Sequence, residues 1–284
     1  MTLLVCWAGI DTHGTASLYM AADSRISWKA PAYFDYARKV FAFTKWPDVL
    51  GYCGDVLFPS IALSQIVELA DAGLLFSKSS SPIQKFQAVV DKLNDLFQQY
   101  PALHSGLAEN SLSVIHGSRD PTNNKRFFSH TIAWTKKRGW HGEEQAMPAA
   151  SGVLFALGTG AAAFTQNFKR YETGPTRGTS RAVFHCFCDT LASSTEPTIG
   201  GAPQLVGVSR KPETPAATFG VIHEGRRTYL GAHIDNLGHF GKVDWRNANF
   251  ERCDGTTMKK LQAAQPQPDV LRRLGERATP WTPH

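Results

Sequence analysis

The chain has 284 residues, of which 42% are hydrophobic and 11% aromatic, a composition that supports a packed core and excludes an intrinsically disordered protein. Its 30 basic and 24 acidic side chains leave a formal charge of only +6, which is weak support for nucleic-acid binding. No stretch reaches the roughly 18 to 20 continuous apolar residues that a membrane-spanning helix needs. The sequence therefore predicts a globular protein.

The N-terminus, the cysteines and the charge distribution predict the surroundings in which the protein works. The first Lys or Arg is Arg25, so the charged leader of a secretory signal is missing and we expect a cytoplasmic protein. Five scattered cysteines without a CxxC pair argue against both a disulfide framework and a zinc site. The last 40 residues carry seven basic and four acidic side chains, a net charge of +3, so half of the charge lies in a C-terminal extension.

The first part of the chain predicts strands followed by two helices. Its N-terminal segments are apolar with little alternation, which is typical of a hairpin buried on both faces. Ser81 followed by Pro82 predicts the start of the second helix. The predicted strands are 2–10, 15–22, 39–43 and 49–53, and the predicted helices are 55–73 and 82–100. The predicted apolar face of the second helix consists of Ile83, Phe86, Val90, Leu93, Phe97 and Tyr100.

The second part of the chain repeats this order. The predicted strands are 112–116, 126–134 and 153–157, then 204–209, 218–223 and 227–232, and the helices between the two groups are 161–171 and 179–191. Two blocks of strands, each followed by a helix pair, favour an α+β fold in which two stacked, mostly antiparallel sheets lie between helix layers. We therefore predict a four-layer αββα sandwich over 1–244 and a basic, proline-containing extension over 245–284.

Several segments occur in an order that resembles proteasome β subunits and their bacterial relatives, which are N-terminal-nucleophile hydrolases. Asp23 and Lys39 are 16 positions apart, which is the family's spacing. The number of residues between Thr2 and Asp23 is a few larger than is usual in the family. The extra residues fall in the hairpin turn, where insertions are tolerated. The segments are 2–5, 21–25, 38–41 and 51–55, with a Gly-Thr-Gly turn at 158–160 that resembles the family's Gly-Ser-Gly turn.

The resemblance implies a nucleophilic threonine at the start of the mature chain. A free α-amine on Thr2 would accept the proton of the Thr2 hydroxyl, so Met1 must be removed, which a small second residue permits. Lys39 would lower the pKa of that amine, and Asp23 would hold the lysine ammonium in place. Gly51 would offer its backbone N–H to the oxyanion, because glycine lets a substrate approach closely.

Two further polar positions match the family pattern less closely. Thr159 stands where the family has a serine hydroxyl near the α-amine. Before the paired glycines at 200–201 the family usually has an aspartate and a serine, whereas this chain has Glu196 in place of the aspartate and Ile199 at the serine position. The polar network at this point is either carried by Thr198 or absent.

By this resemblance the function is that of a threonine-type endopeptidase, which cleaves peptide bonds through an acyl-enzyme on Thr2. We expect a peptide or unfolded-protein substrate, a homo-oligomeric ring or stack, and the family's frequent partner, an ATP-dependent unfoldase. No cofactor, metal, nucleic acid or membrane is expected. The residues at the family's specificity pocket, which predict an apolar residue before the cut, are Ile26, Ser27, Val49 and Cys53.

Two other functions stay open at this point. A non-catalytic scaffold or regulatory subunit with the same fold would retain Met1. An amidohydrolase acting on a small-molecule amide would fit the altered residues before 200–201. A phosphate-binding loop at 158–160 is disfavoured, because the lysine of a P-loop is missing.

Overall fold

The computed structural model describes residues 2–28, 32–101, 112–235 and 238–262. Within these ranges two β-sheets lie face to face, and a pair of helices covers the outer face of each. The elements of the first half are β1 (Leu4–Asp11), β2 (Gly14–Ala22), β3 (Ile26–Ser27), β4 (Tyr33–Phe34), β5 (Val40–Ala42), β6 (Asp48–Gly54), α1 (Leu57–Asp71), α2 (Pro82–Gln99), β7 (Leu112–Arg119), β8 (Phe127–Thr135) and β9 (Gly139–Gln145).

The second half of the described chain adds two helices and the remaining strands. These elements are β10 (Gly152–Leu157), α3 (Ala161–Thr173), α4 (Ser180–Ser193), β11 (Gln204–Ser209), β12 (Ala217–His223), β13 (Arg226–Tyr229), β14 (Ala232–His233), β15 (Trp245–Asn247) and β16 (Arg252–Cys253). The strand order of the larger sheet is β10-β1-β2-β11-β12-β13-β14, with β15 beside β12 and β16 beside β15. The smaller sheet has the order β5-β6-β7-β8-β9.

Three layers of apolar side chains hold the sandwich together and confirm the predicted αββα arrangement. The layer between the sheets includes Leu4, Met20, Val40, Val49 and Ile115. The layer under α1 and α2 includes Phe41, Tyr52, Phe58, Ile66, Val89 and Leu93. The layer under α3 and α4 includes Leu3, Trp7, Phe164, Phe184 and Leu205. Strand β1 contributes to two of these layers, which explains why its sequence shows almost no polar alternation.

Helix α2 begins as predicted, and the predicted face packs on the core at Phe86, Val90, Leu93, Phe97 and Tyr100 but not at Ile83. The Ser81 side chain accepts a hydrogen bond from the Gln84 N–H at 3.4 Å, and the Gln84 side chain accepts one from the Ser81 N–H at 2.8 Å, which forms a capping box. The assignment of Ile83 to the buried face is wrong, because Ile83 is 58% exposed whereas Lys85 is 1% exposed. Lys85 turns inward because it has a buried carboxylate partner, Asp48.

The sequence pattern did not predict β9. This strand pairs antiparallel with β8 along its whole length and forms the edge of the smaller sheet. Its residues are half-buried or exposed and mostly polar, as in Glu143 and Glu144, so no apolar period marks it. Polar and charged side chains on an edge strand also discourage pairing with another sheet.

The described part of the C-terminal extension packs on the sandwich. Strand β15 pairs in parallel with β12, and Trp245 is buried. The ring centroid of Phe250 lies 6.1 Å from that of Trp7 and 5.1 Å from that of Tyr19, within the aromatic core. Residues 263–284 lie outside the described ranges, and the domain boundary at residue 244 stays a prediction. Strands of two or three residues are too short for hydrophobic periodicity to reveal.

Candidate functional site

Thr2 lies immediately before β1 and is almost completely buried. The turn at 158–160 packs against its backbone, because the Gly160 N–H donates to the Thr2 carbonyl oxygen at 3.2 Å. Gly158 has a φ of +91°, and a Cβ atom there would lie only 2.1 Å from the same oxygen. Glycine is therefore required at position 158 by both backbone conformation and contact with Thr2.

An ion pair between Asp23 and Lys39 contacts the hydroxyl of Thr2. The Lys39 Nζ atom lies 2.8 Å from Asp23 Oδ1 and 2.9 Å from Thr2 Oγ1. Neither side chain of the pair is exposed. Burial lowers the pKa of Lys39 below its ordinary value, although the negative charge of Asp23 acts in the opposite direction. A buried lysine with a depressed pKa next to a hydroxyl can take part in proton transfer near neutral pH.

The ion pair joins the two sheets at one end of the sandwich. Asp23 follows β2 in the larger sheet, and Lys39 precedes β5 in the smaller sheet. The Asp23 carboxylate also accepts hydrogen bonds from the backbone N–H groups of Leu3 at 3.0 Å, of Arg25 at 3.1 Å and of Gly200 at 3.1 Å. These partners satisfy a charge that would be costly to bury alone.

Gly51 occupies the middle of β6, where it pairs with Val40. A Cβ atom at this position would lie 2.7 Å from Met20 Sδ and 2.9 Å from Leu4 Cδ1. A side chain there would push the ends of Met20 and Leu4 on the facing sheet aside, which is a packing reason for glycine here. The use of its N–H as an oxyanion donor stays a prediction.

The polar network before Gly200 is carried by Thr198. Its Oγ1 lies 2.7 Å from Thr159 Oγ1 and donates to Glu196 Oε1, also at 2.7 Å. Hydrogen bonds from the Thr198 hydroxyl and from the Thr198 backbone N–H lower the pKa of Glu196 below its ordinary value. Ile199 is 3% exposed and belongs to the apolar layer under α3 and α4, so it takes no part in the network. The structure thus brings Thr159 and Glu196 together through Thr198.

The four residues predicted for a specificity pocket differ in their surroundings. Ile26 is half-buried and Ser27 is buried on the short strand β3. Val49 has no exposed surface and lies in the layer between the sheets, so it does not line an open pocket in this structure. Cys53 is buried, and burial raises the pKa of its thiol to about 11, while the positive charge of Lys39 acts in the opposite direction.

Sequence reasoning missed Gln204, the first residue of β11. This side chain is fully buried, and it makes hydrogen bonds with the backbone of Asp23, Ala37 and Lys39 at 2.8 to 3.0 Å. A glutamine at the start of an otherwise apolar strand was the available signal, because glutamine is seldom buried without a specific set of partners.

Neither a metal-ligand cluster nor a membrane-spanning helix occurs within the described ranges. No group of three His, Cys, Asp or Glu side chains there could hold a metal ion. No helix in that part of the chain is long and apolar enough to cross a membrane.

Comparison with known proteins identifies similar folds. No family model and no curated protein matches the chain. Among solved structures, a Gly-1 mutant of Anbu from Hyphomicrobium sp. strain MC1 aligns with a TM-score of 0.53 and 16% identity, covering 82% of this chain and 89% of that one. The Anbu complex from Pseudomonas aeruginosa, described as a helical assembly, aligns with a TM-score of 0.54 and 15% identity. That alignment covers 80% of this chain and 86% of the Anbu chain.

A third similar structure is Anbu from Yersinia bercovieri, described as an ancestral β-subunit. It aligns with a TM-score of 0.50 and 11% identity, and the alignment covers 76% of this chain and 86% of that one. At these identities the comparison concerns the fold alone. The chain has the fold of these proteasome-like proteins, in agreement with the resemblance seen in the sequence.

Proposed function

We propose that the protein is a threonine-type endopeptidase of proteasome-like architecture, with Thr2 as its nucleophile. The observation that carries the proposal is the buried chain of contacts from Thr2 Oγ1 to Lys39 Nζ, at 2.9 Å, and from Lys39 Nζ to Asp23 Oδ1, at 2.8 Å. A hydroxyl, a lysine with a lowered pKa and a carboxylate that orients the lysine form a nucleophile, a proton-handling group and its support.

The proposed reaction begins with the removal of Met1. The freed α-amine of Thr2 accepts the proton of the Thr2 hydroxyl as Oγ1 attacks the substrate carbonyl, and it returns that proton to the leaving amine. Water then hydrolyses the ester on Oγ1. The nearby positive charge of Lys39 keeps the amine a base near neutral pH. Thr2 also has a φ of +133°, unfavourable for a β-branched residue, and this angle ceases to exist when Thr2 becomes the first residue.

The surrounding residues have proposed roles of their own. The backbone N–H of Gly51 stabilises the oxyanion of the tetrahedral intermediate. The hydrogen-bonded group of Thr159, Thr198 and Glu196 has the role of the serine hydroxyl that the family has near the α-amine. The proposed specificity pocket accepts an apolar side chain at Ile26, Ser27 and Cys53, with Val49 behind them in the layer between the sheets. Because Val49 is buried, a carboxylate there would be an unpaired buried charge, so Val49→Ala is the suitable test of the pocket.

We further propose that the protein is a cytoplasmic homo-oligomer whose helix layers form contacts between subunits. Support comes from the Pseudomonas aeruginosa Anbu complex, which is a helical assembly with a similar fold. Apolar side chains are also exposed on the outer helix layer at Leu57, Ile61 and Ile83. An ATP-dependent unfoldase that delivers substrate is part of the same proposal.

Intact mass together with covalent labelling tests the nucleophile. We expect the purified protein to lack Met1 and to gain one equivalent of a threonine-directed β-lactone probe on Thr2. The Thr2→Ala variant should not label, whereas Thr15→Ala, which changes a buried threonine of β2, should label like the wild type. Retention of Met1 in every molecule would eliminate the mechanism, because an acylated nitrogen cannot act as the base.

The second candidate function is hydrolysis of a small-molecule amide by the same nucleophile. Ile199 favours it, because an apolar, buried side chain stands where the peptidase family has a serine hydroxyl. A protein that labels on Thr2 but cleaves neither unfolded casein nor a library of fluorogenic peptides would support this alternative. A non-catalytic scaffold would show neither labelling nor removal of Met1.

A further inference from the structure

The buried side chain of Gln204 contacts the backbone on both sides of the Asp23–Lys39 ion pair. Its Oε1 accepts a hydrogen bond from the Lys39 N–H at 3.0 Å. Its Nε2 donates to the carbonyl oxygens of Asp23 at 3.0 Å and of Ala37 at 2.8 Å. Gln204 begins β11 in the larger sheet, whereas Lys39 precedes β5 in the smaller sheet. One side chain therefore spans the two sheets beside the ion pair.

The three partners of this side chain select glutamine. Two carbonyl oxygens require two donors and one N–H requires an acceptor, and a primary amide supplies all three from one planar group. Glutamate would place a carboxylate against two carbonyl oxygens, and methionine would leave all three buried backbone groups unpaired. Asparagine is one methylene shorter and cannot reach the same partners from the same backbone position.

We propose that Gln204 is a positioning residue that fixes the backbone of Lys39 relative to that of Asp23. By doing so it keeps Lys39 Nζ within 2.9 Å of Thr2 Oγ1. Strand pairing alone does not set this distance, because Gln204 pairs with Ala22 within the larger sheet while Lys39 leads into the other sheet. The kinetic consequence rests on the function proposed above, whereas the restraint on Lys39 is a property of the fold.

Loss of the restraint should slow the reaction of Thr2. A displacement of about 1 Å at a reacting group can cost about 100-fold in rate. Gln204→Met is close in size and removes the three hydrogen bonds, so we expect labelling of Thr2 by a β-lactone to slow about 100-fold. Gln204→Glu adds a negative charge beside the backbone of Lys39 and Asp23. In the proposed mechanism that charge raises the pKa of the Thr2 α-amine, so the acidic limb of the rate profile should move to higher pH.

The experiment measures amide hydrogen exchange and β-lactone labelling on the same full-length variants. Exchange is followed at the Lys39 amide, and labelling is followed from pH 5 to pH 9. The control is Thr190→Val, because Thr190 is also buried and hydrogen-bonded, to the Cys186 carbonyl at 2.8 Å, but lies in α4 on the outer layer. Melting temperatures of all variants separate a general loss of stability from a local one.

The proposal is supported if Gln204→Met speeds exchange at Lys39 and slows labelling, while Thr190→Val changes neither at a similar melting temperature. Unchanged exchange at Lys39 in Gln204→Met overturns it, and so does faster exchange with normal labelling. An unshifted pH profile in Gln204→Glu also counts against it. If the wild-type protein does not label, the nucleophile hypothesis fails, and exchange at Lys39 still decides whether Gln204 holds that residue.

Discussion

Two buried lysine–aspartate pairs lie in different layers of this molecule. Lys39 and Asp23 lie where the two sheets meet, and Lys85 and Asp48 lie between α2 and the smaller sheet. None of the four side chains is exposed. The pairs therefore share chemistry and burial, and they differ in what surrounds them.

The third partner separates the two pairs. Lys39 Nζ contacts the hydroxyl of Thr2 at 2.9 Å. In the other pair, Asp48 Oδ1 lies 3.0 Å from Nε2 of His116, and Lys85 Nζ lies 5.8 Å from the ring centroids of both Trp46 and Phe76. A buried ion pair is thus not itself a sign of catalysis. The adjacent nucleophile makes the first pair a candidate site, whereas the second pair fixes a helix to a sheet.

The largest expected effect is that of Lys39→Met on the reaction. The substitution removes the ammonium that contacts Thr2 Oγ1 and keeps the α-amine a base. We expect β-lactone labelling of Thr2 to fall about 1,000-fold, within the range that general acid–base catalysis contributes. The comparison is made per folded molecule, with the folded fraction taken from circular dichroism. Labelling within tenfold of the wild type would show that Lys39 is structural, as Lys85 is.

The matched substitution Lys85→Met should lower the stability of the protein and leave the labelling of Thr2 unchanged. It leaves Asp48 buried without its lysine partner, so we expect a loss of about 4 kcal/mol in the free energy of unfolding. Labelling per folded molecule should stay at the wild-type rate, because Thr2 is contacted by Lys39 and not by Lys85. Urea unfolding and the labelling assay, run on the same samples, check both parts. A large loss of labelling would mean that the two pairs are coupled.

A second substitution should recover part of this stability. In the double variant Lys85→Met with Asp48→Asn, no uncompensated carboxylate is buried, and an asparagine oxygen can still accept a hydrogen bond from His116. We expect it to be about 2 kcal/mol more stable than Lys85→Met alone in urea unfolding. Equal stability of the two variants would show that Asp48 is compensated by His116 without the lysine.

The smallest expected effect is a pH dependence near the second pair. His130 stacks on Phe86 with ring centroids 4.1 Å apart, and burial together with the neighbouring His116 lowers its pKa to about 4. In the unfolded chain this histidine binds a proton below about pH 6.5, whereas in the folded chain it binds one only below about pH 4. Between pH 7 and pH 4.5 this linkage should lower the free energy of unfolding by about 2 kcal/mol.

The variant His130→Leu checks the source of that pH dependence. Urea unfolding at pH 7 and pH 4.5 should show a smaller difference for His130→Leu than for the wild type. The control is His13→Ala, because His13 is exposed in the turn between β1 and β2 and should leave the difference unchanged. If His130→Leu loses as much stability between pH 7 and pH 4.5 as the wild type does, the titrating group is not His130.

Much of the fold could be predicted because its signals are local. The continuous apolar segments of β1 and β2, the capping residue Ser81 and the strand β11 all follow from neighbouring residues. The candidate site was predicted from the spacing of Asp23 and Lys39 and the resemblance it carries. The pairing of those side chains with Thr2 agrees with this expectation, while their catalytic roles stay proposals.

The remaining features depend on contacts between distant segments. Lys85 is buried and Ile83 exposed on α2 because Asp48, 37 residues away along the chain, offers a carboxylate on only one side of the helix. Periodicity ranks residues by their own hydrophobicity and cannot include such a partner. For the same reason the pattern did not identify Gln204, whose importance comes from three backbone groups on other segments.

The sequence by itself determined the alternation of strands and helices and the identity of the residues that could react. The tertiary structure alone decided which of two chemically equal lysine–aspartate pairs lies beside a nucleophile, and that Thr198 carries the polar network before Gly200. The physical reason is that a buried charge or amide is stable only where partners from several segments converge. Such convergence is a property of the folded chain.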